Sequence, residues 1–344
     1  MHKNKILVTG GTGYIGSHTI VELQAKGFEV IVIDSLRNSF LGVLDQVENI
    51  SGIKPKFYQF DLCDKTAVDD FFTKEANIDA IIHFAALKAV GESVENPLLY
   101  YKNNMLSLIN LLDAMVQFQI KHIVFSSSCT VYGQPDSLPV SEQAPMKKAE
   151  SPYGQTKQMA EQILEDVVKS TSINVISLRY FNPIGAHDSA MIGEYPIGAP
   201  NNLVPMITQT AIGLREKLLV FGSDYDTKDG SCIRDYIHVV DIAKAHVIAI
   251  ERLLEHKNKH NNEVFNLGTG LGFTVLETIK AFEKVSAQQL KYEITNRRSG
   301  DVEKVYADTK LANEELGWKA ERDLENMLLT AWKWQLQLKD LKLN

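Results

Sequence analysis

The sequence predicts an α/β protein in which a doubly wound parallel sheet is joined by a smaller, mixed α/β lobe at the C-terminal end. Short apolar runs alternate with amphipathic stretches over the first part of the chain. This alternation is typical of a parallel sheet covered by helices on both faces. After about Asn182 the alternation loosens, and residues 183–205 are rich in proline and glycine, which indicates a long ordered loop.

The elements of the predicted sheet follow one another in a regular order. The apolar runs of strand length predict strands at residues 6–8, 30–33, 56–60, 80–84, 122–126 and 175–179. Stretches with helical periodicity predict helices between them, at 15–26, 65–75, 97–118 and 153–170. The strands and helices therefore alternate as they do in a doubly wound fold.

Periodicity returns after the long loop. It predicts helices at residues 239–254, 274–285 and 324–338, and a strand at 263–267. We therefore predict one large domain over residues 1–182, to which the chain returns at about 238–270. The second lobe is predicted to consist of residues 183–237 and 271–344.

Composition excludes several classes of function. The formal net charge is −7 and there is no basic block, which argues against a nucleic-acid partner. Cys63, Cys129 and Cys232 lie far apart without the spacing of metal ligands, so we expect no metal site and a reducing compartment. No apolar stretch approaches the roughly 20 residues of a membrane span, and the N-terminus does not resemble a signal peptide. The cytoplasm is the expected location.

A glycine-rich loop follows the first predicted strand directly and opens the first predicted helix. Gly10 permits a tight turn, Gly13 lets the backbone approach a pyrophosphate, and Gly16 allows close packing of helix on strand. The pyrophosphate would lie at the helix N-terminus, where free N–H groups favour negative charge. This context predicts a dinucleotide site in a Rossmann-type domain.

The end of the second predicted strand indicates which dinucleotide is preferred. Asp34 lies 18 residues after Gly16, where a carboxylate can accept a hydrogen bond from the adenine ribose 2′-OH and would repel a 2′-phosphate. NAD is therefore favoured over NADP. Arg37 lies close by and could pair with such a phosphate, which weakens the preference for NAD without reversing it.

Tyr153 and Lys157 are four residues apart at the start of a predicted helix, so their side chains share one face. A neighbouring ammonium favours the phenolate form of a tyrosine, and such a pair can act as a general base. Ser128 follows shortly after the predicted strand at 122–126, and active-site groups in open α/β sheets gather at the carboxyl ends of the strands. We therefore expect Ser128 to lie beside Tyr153.

Together, the glycine loop, Asp34, Ser128, Tyr153 and Lys157 resemble the extended short-chain dehydrogenase/reductase superfamily. Longer strings resemble the UDP-glucose 4-epimerase family within it: KAVGES at 88–93, residues 126–133, RYFNP at 179–183, PNNL at 200–203 and RDYIHV at 234–239. The resemblance extends from the first strand to about Trp334.

The resemblance implies reversible epimerisation at C4 of a UDP-hexose, with tightly bound NAD. Tyr153 would take the proton of the sugar 4′-OH while hydride passes from C4′ to the nicotinamide. The 4-keto sugar would rotate about its phosphate link and receive the hydride on its other face. Lys157 would keep the pKa of Tyr153 low, and Ser128 would hydrogen-bond the 4′ oxygen. A homodimer is also implied.

The resemblance assigns further residues to each ligand. For the cofactor these are Gly10, Gly13, Tyr14, Ile15, Gly16, Asp34, Asn38, Asp61, Leu62, Phe84, Ala85, Ala86, Lys88, Asn103, Ser126, Tyr153, Lys157 and Tyr180. For the UDP-sugar they are Lys88, Ser128, Tyr153, Phe181, Asn182, Asn202, Leu203, Phe221, Arg234, Arg298, Asp301 and Val305. Arg234 and Arg298 are the candidates for the diphosphate, because their planar guanidinium groups suit phosphate oxygens.

One position departs from the family's usual bacterial pattern. Members restricted to unacetylated sugars usually carry a tyrosine that narrows the pocket, and Val305 stands at that place here. A smaller side chain leaves room for a 2-acetamido group. We therefore hypothesise activity on UDP-GalNAc and UDP-GlcNAc as well as on UDP-galactose and UDP-glucose.

Related functions remain as alternatives. Nucleotide-sugar 4,6-dehydratases carry an Asp-Glu pair after the hydroxyl residue, whereas Cys129 and Thr130 stand there in this chain. A nucleotide-sugar reductase or dehydrogenase of the same superfamily is the main alternative, and a non-catalytic dinucleotide sensor is a weaker one.

The predicted helix at 97–118 has an apolar stripe of seven side chains. These are Leu98, Tyr101, Met105, Leu108, Leu111, Leu112 and Met115. The stripe could pack against a second subunit, together with the helix that carries Tyr153, or against its own sheet.

Overall fold

The computed structural model describes residues 3–198, 200–298 and 302–338. Its strands are β1 (Lys5–Thr9), β2 (Glu29–Asp34), β3 (Lys56–Gln59), β4 (Ala80–His83), β5 (His122–Ser128), β6 (Asn174–Tyr180), β7 (Asn182–Ile184), β8 (Leu218–Phe221), β9 (Ile233–His238), β10 (Asn262–Leu267), β11 (Gly272–Thr274), β12 (Tyr292–Thr295) and β13 (Lys304–Val305). Its α-helices are α1 (Tyr14–Ala25), α2 (Gly42–Ser51), α3 (Lys65–Lys74), α4 (Val90–Glu95), α5 (Pro97–Gln117), α6 (Pro152–Ser170), α7 (Leu203–Ala211), α8 (Val239–Leu254), α9 (Val275–Ser286) and α10 (Leu324–Gln337).

The large sheet has the order β10-β6-β5-β4-β1-β2-β3 within the described residues, and all of its neighbouring strands are parallel. The chain builds outward in one direction from β1 through β3 and in the other from β4 through β10. The strand order therefore reverses between β1 and β4, and ligands of open α/β sheets bind in the crevice at such a point. The predicted fold class is confirmed.

The sheet separates two apolar cores, because successive strand residues point to opposite faces. Ile6 and Val8 of β1 pack with α1, α2 and α8 on one face. Leu7 of the same strand packs with α3, α5 and α6 on the other. All three side chains are fully buried, which explains why β1 is apolar at successive positions.

Smaller sheets form the rest of the described structure. Strand β9 pairs in parallel with β7 and β13 and antiparallel with β11, and β8 pairs with β12. Helices α7, α9 and α10 cover these strands, and Phe282 meets Trp332 edge-on with ring centroids 5.5 Å apart. Because β10 joins the large sheet, the chain crosses from the large sheet and back before reaching α9.

The predicted element bounds agree with the structure to within about two residues, but several elements were not predicted. These are α2, α4, α7, β7, β8, β9, β11, β12 and β13. The predicted loop at 183–205 is interrupted at both ends, by β7 and by the start of α7.

The apolar stripe of α5 packs mainly against its own sheet. Five of its members lie in the core beneath the helix: Met105, Leu108, Leu111, Leu112 and Met115. Leu98 is 82% exposed. The stripe as predicted is therefore chiefly a core surface, and the exposed apolar residues of α5 lie on the adjoining face.

Candidate active site

The carboxyl ends of β1, β2, β4, β5 and β6 meet at one edge of the large sheet, and most of the predicted cofactor residues lie there. The segment from the end of β1 to the first turn of α1 contains Gly10, Gly13, Tyr14, Ile15 and Gly16. The end of β2 and the segment after it contain Asp34 and Asn38, and the segment after β3 contains Asp61 and Leu62. The segment after β4 contains Phe84, Ala85, Ala86 and Lys88, while α5 carries Asn103, β5 carries Ser126 and β6 carries Tyr180.

At two positions of the glycine loop no larger residue fits. Gly10 has a φ of +71°, and a Cβ there would lie 2.7 Å from the Ala85 nitrogen. At Gly16 a Cβ would lie 2.4 Å from the Gly10 carbonyl oxygen. Helix α1 begins at Tyr14 with Gly13 as its N-cap, and no side chain caps it. Unsatisfied first-turn N–H groups at a helix N-terminus form an anion site, so this cradle fits a dinucleotide pyrophosphate.

Asp34 organises the neighbouring turn. Its carboxylate accepts hydrogen bonds from the Thr12 nitrogen at 3.2 Å, the Leu36 nitrogen at 2.9 Å and the Ser39 hydroxyl at 3.2 Å. The carboxylate is half-buried beside the glycine loop, and a negative charge there disfavours a 2′-phosphate. Asp34 thus fits the ribose of NAD and also fixes the turn that carries Asn38.

Ser128, Tyr153 and Lys157 come together at the ends of β5 and α6. The Ser151 hydroxyl caps α6 by accepting from the Gly154 nitrogen at 3.1 Å, which sets Tyr153 in the first turn. The Ser128 hydroxyl is hydrogen-bonded to the Tyr153 phenol. The Lys157 Nζ donates to the Ser126 carbonyl at 2.6 Å and lies 5.9 Å from the centroid of the Tyr153 ring.

Burial dominates the protonation of this trio. It raises the pKa of Tyr153 to about 12, and the hydrogen bond from Ser128 opposes that rise. Burial also lowers the pKa of Lys157 to about 8, while the Glu161 carboxylate acts in the opposite direction. The resemblance implied a Tyr153 pKa kept low by Lys157, and the structure shows the opposite direction, because desolvation penalises both charged forms.

Two substrate candidates lie side by side across β9 and β13. Val305 is the register partner of Arg234 and is 7% exposed. Val305 packs in an apolar cluster with Phe181, Val131 and Tyr132. Arg298 lies over the ring of Phe221, with its Cζ 5.6 Å from the ring centroid. Asp301 lies outside the described residues.

Three other substrate candidates lie at the starts of β7 and α7. Asn182 begins β7, and its buried Oδ1 has no hydrogen-bond partner among the described residues. Leu203 begins α7 and Asn202 precedes it. A buried acceptor without a partner is uncommon, and it suits a ligand that carries hydroxyl donors.

The structure also shows a residue that sequence reasoning missed. The Glu194 carboxylate accepts from the Lys88 Nζ at 3.3 Å and from the Asn202 Nδ2 at 2.7 Å. Lys88 follows β4 and Asn202 precedes α7, so Glu194 links the segment after β4 to the segment before α7. Glu194 lies in the loop rich in proline and glycine, where no periodicity marks a position as special.

Two buried clusters support the catalytic helix from behind. The Asn104 side chain donates to the Leu87 carbonyl at 3.0 Å and to the Thr156 hydroxyl at 3.1 Å. The Glu161 carboxylate accepts from the Arg179 Nε at 3.0 Å and from its Nη2 at 2.5 Å. These contacts hold α6 against β6 and against the segment after β4.

The described residues contain no group of three or more His, Cys, Asp or Glu side chains that could hold a metal ion. Over the same residues, no helix has the length and apolarity that crossing a membrane requires.

This geometry defines a class of protein: a dinucleotide-dependent enzyme of the short-chain dehydrogenase/reductase type, with a serine, a tyrosine and a lysine at the end of its sheet. The family model described as GDP-mannose 4,6 dehydratase matches residues 7–330. A UDP-glucose 4-epimerase of Bacillus subtilis is 53% identical over 331 residues, which are 96% of each chain.

Solved structures extend the comparison. A UDP-glucose 4-epimerase from Stenotrophomonas maltophila, with bound NAD and formylated UDP-arabinopyranose, has a TM-score of 0.94 and 46% identity over 98% of this chain and 99% of its own. The UDP-Glc/GlcNAc 4-epimerase of Campylobacter jejuni has a TM-score of 0.83 and 38% identity over 97% and 99%. The chain is therefore a member of the family that the model defines and, within it, of the UDP-glucose 4-epimerases.

Proposed function

We propose that the protein interconverts UDP-galactose and UDP-glucose by epimerisation at C4 of the sugar, through a 4-keto intermediate and with tightly bound NAD. The observation that carries this proposal is the position of Tyr153, hydrogen-bonded to Ser128 and beside Lys157, at the sheet edge that also holds the glycine loop. Relatives that match this chain over nearly its full length bear the same activity in their names.

Tyr153 and Ser128 divide the proton chemistry between them. Ser128 and the Tyr153 phenol are hydrogen-bonded in this structure, and a serine hydroxyl at that place can equally donate to the 4′ oxygen of a sugar. Tyr153 takes the proton of the 4′-OH and later returns it, so one residue serves both directions of the reaction. The Lys157 ammonium favours the phenolate electrostatically against the effect of burial.

The cofactor site is built by the glycine cradle, Asp34 and the segment after β4. NAD⁺, when bound there, supplies the hydride acceptor and the positive charge of its pyridinium ring, which favours a Tyr153 phenolate. The Lys157 Nζ, held by the Ser126 carbonyl at 2.6 Å, keeps its charge close to Tyr153. The N–H groups at the start of α1 would hold the pyrophosphate.

The residues after Ser128 support epimerisation over dehydration. Dehydration needs an acid and a base near C5 and C6 of the sugar. Desolvation raises the pKa of the half-buried Cys129 thiol to about 12, and Thr130 carries a hydroxyl that does not ionise near neutral pH. Neither side chain can act as a carboxylate does. The match to a model named for a dehydratase therefore reflects a shared framework.

The deciding experiment incubates purified protein with UDP-galactose and no added cofactor. Products are separated by chromatography while absorbance is followed at the NADH wavelength. We expect UDP-glucose without net NADH, and we expect Tyr153→Phe to lose at least about a hundredfold in kcat, as removal of a general base does, while still binding UDP. A net, stoichiometric absorbance change would instead support a reductase or dehydrogenase, and NAD binding without turnover would support a sensor.

The hypothesis that the protein also acts on N-acetylated UDP-sugars rests on the small side chain of Val305. This side chain lies within the apolar cluster of Phe181 and Val131, and a valine leaves volume there that a tyrosine would fill. We expect wild-type protein to interconvert UDP-GalNAc and UDP-GlcNAc, and Val305→Tyr to lose that activity while keeping most of its kcat/KM for UDP-galactose. Absence of N-acetyl activity in the wild type would refute the hypothesis.

We propose a homodimer formed through the exposed apolar face of α5 and α6. Leu106, Ile109 and Val116 share one face of α5 and are 37%, 39% and 52% exposed, and Met159 of α6 is 38% exposed. Light scattering should give twice the chain mass, and Ile109→Glu should give the monomer mass. A monomeric wild type would contradict this proposal.

Two broader predictions accompany the function. We propose the cytoplasm as its location, since Cys63, Cys129 and Cys232 are all free thiols. We also keep the division into an NAD-binding domain, residues 1–182 with a return at about 238–270, and a UDP-sugar lobe of residues 183–237 and 271–344. The membership of β10 in the large sheet supports that return.

A further inference from the structure

A buried histidine lies directly behind two of the predicted cofactor residues. His246, on α8, is fully buried. Its Nε2 lies 3.0 Å from the Tyr180 hydroxyl, and its ring centroid lies 4.6 Å from that of Phe84. Tyr180 ends β6 and Phe84 directly follows β4, so this one imidazole contacts residues at the carboxyl ends of two strands.

The hydrogen bonds of this histidine determine its tautomer. Its Nδ1 lies 2.9 Å from the Ile242 carbonyl oxygen, one helical turn earlier on α8. A carbonyl only accepts, so Nδ1 carries the proton and Nε2 of the neutral ring is an acceptor. Burial lowers the pKa of His246 to about 4, which keeps the ring neutral at physiological pH. The Tyr180 hydroxyl therefore donates to Nε2.

The direction of this hydrogen bond limits what Tyr180 can do on its other side. The single phenolic proton of Tyr180 goes to His246, so the phenol oxygen can only accept from any further partner. Tyr180 is the register partner of Ser128 on β5, and the carbonyl of Ser126, two residues earlier on that strand, accepts from the Lys157 Nζ. The imidazole therefore fixes the phenol next to the strand that anchors Lys157.

We infer that His246 is a positioning residue for the cofactor, which orients Tyr180 through a one-way chain of hydrogen bonds anchored on the Ile242 carbonyl. The inference rests on the proposed NAD site. It assigns a role to α8, because this helix supplies the acceptor that fixes the Tyr180 hydroxyl. His246 touches neither ligand in this account and acts only through Tyr180 and Phe84.

The test compares His246→Phe, which keeps an aromatic ring but no acceptor, with His246→Gln, which keeps an acceptor and a donor. The NAD retained by purified protein and its rate of release into an NAD-scavenging buffer are measured, together with the dissociation constant for UDP. We expect His246→Phe to release NAD about tenfold faster, since a buried hydroxyl loses its acceptor. His246→Gln should stay within about threefold of wild type, and UDP binding should be unchanged.

Two controls separate positioning from general damage. His122 is buried at the opposite end of β5, and its Nδ1 has no partner among the described residues, so His122→Phe makes the same change away from the site. It should leave NAD release unchanged. The double variant His246→Phe/Tyr180→Phe should release NAD no faster than Tyr180→Phe alone, because both act through one hydrogen bond.

Three results would each overturn the inference. They are a wild-type rate of NAD release in His246→Phe, additive effects on that rate in the double variant, and equal losses of NAD and UDP binding. If His246→Phe does not fold, Tyr180→Phe and His246→Gln test the same hydrogen bond, and an unchanged release rate in Tyr180→Phe would likewise overturn the inference. Wild-type protein that binds no NAD at all would overturn the proposed function itself, which is a distinguishable result.

Discussion

Replacing Lys157 by methionine should make the protein more stable at neutral pH while it abolishes catalysis. The Lys157 ammonium is 5% exposed, and burial lowers its pKa from 10.5 to about 8. That depression corresponds to about 3 kcal/mol of unfavourable free energy when the group is charged, since one pKa unit equals about 1.4 kcal/mol. The lost hydrogen bond to the Ser126 carbonyl offsets about 1 to 2 kcal/mol of the gain.

The pH dependence follows from the direction of this shift. Between pH 8 and pH 10.5 the unfolded chain binds the Lys157 proton more tightly than the folded protein does, so wild-type stability rises with pH in that window. Below pH 8 both states are protonated and the full cost is present. Lys157→Met should therefore gain about 1 to 2 kcal/mol at pH 7, and that advantage should disappear by about pH 10.5.

Urea unfolding of NAD-free protein at several pH values measures this difference. Lys169 lies on the same helix with its side chain 61% exposed, so Lys169→Met is the matched control and should show no such gain. A Lys157→Met protein that is less stable than wild type at pH 7 would refute the reasoning. So would a stability difference that does not vary with pH.

Other predictions rest on single features. Gly16→Ala should abolish NAD retention, because its Cβ would lie 2.4 Å from the Gly10 carbonyl oxygen. Gly91→Ala on α4 is the control, since its Cβ would meet nothing within 4 Å, and it should retain NAD. Equal retention of NAD by the two variants would contradict this prediction. Burial lowers the pKa of His18 and His83 to about 3, of His246 to about 4 and of His238 to about 2. The unfolded chain therefore binds these protons first, and stability should fall as pH drops below 6.5. Denaturation at pH 7 and pH 5 measures this, and equal stabilities would refute it.

The sequence predicts best where local chemistry determines structure. The central strands of the large sheet are buried on both faces, so continuous apolar runs mark them clearly, as in β1 and β4. The glycine loop and the Tyr153–Lys157 spacing are local as well. All of these features were predicted with nearly their observed bounds.

The missed features depend on partners that are distant in the sequence. Strand β13 is two residues long and exists because Lys304 and Val305 pair with β9, about seventy positions earlier. Glu194 lies in an irregular loop, and its importance is visible only when Lys88 and Asn202 are seen on either side of it. The pKa of Tyr153 is a third case, since a spacing of four residues shows proximity to Lys157 but not the extent of burial.

At the catalytic helix, burial disfavours the charged forms of Lys157 and Tyr153 that the reaction needs, and neighbouring side chains offset part of that cost. Desolvation acts against a charged Lys157 and against a Tyr153 phenolate alike. The buried Glu161 carboxylate, fixed by Arg179, adds a negative charge one turn along the helix that favours the Lys157 ammonium. Burial that is unfavourable for stability also excludes water, which strengthens every charge that the reaction develops there. The cost that Lys157→Met would remove is thus the cost of keeping a positive charge beside the reacting oxygen.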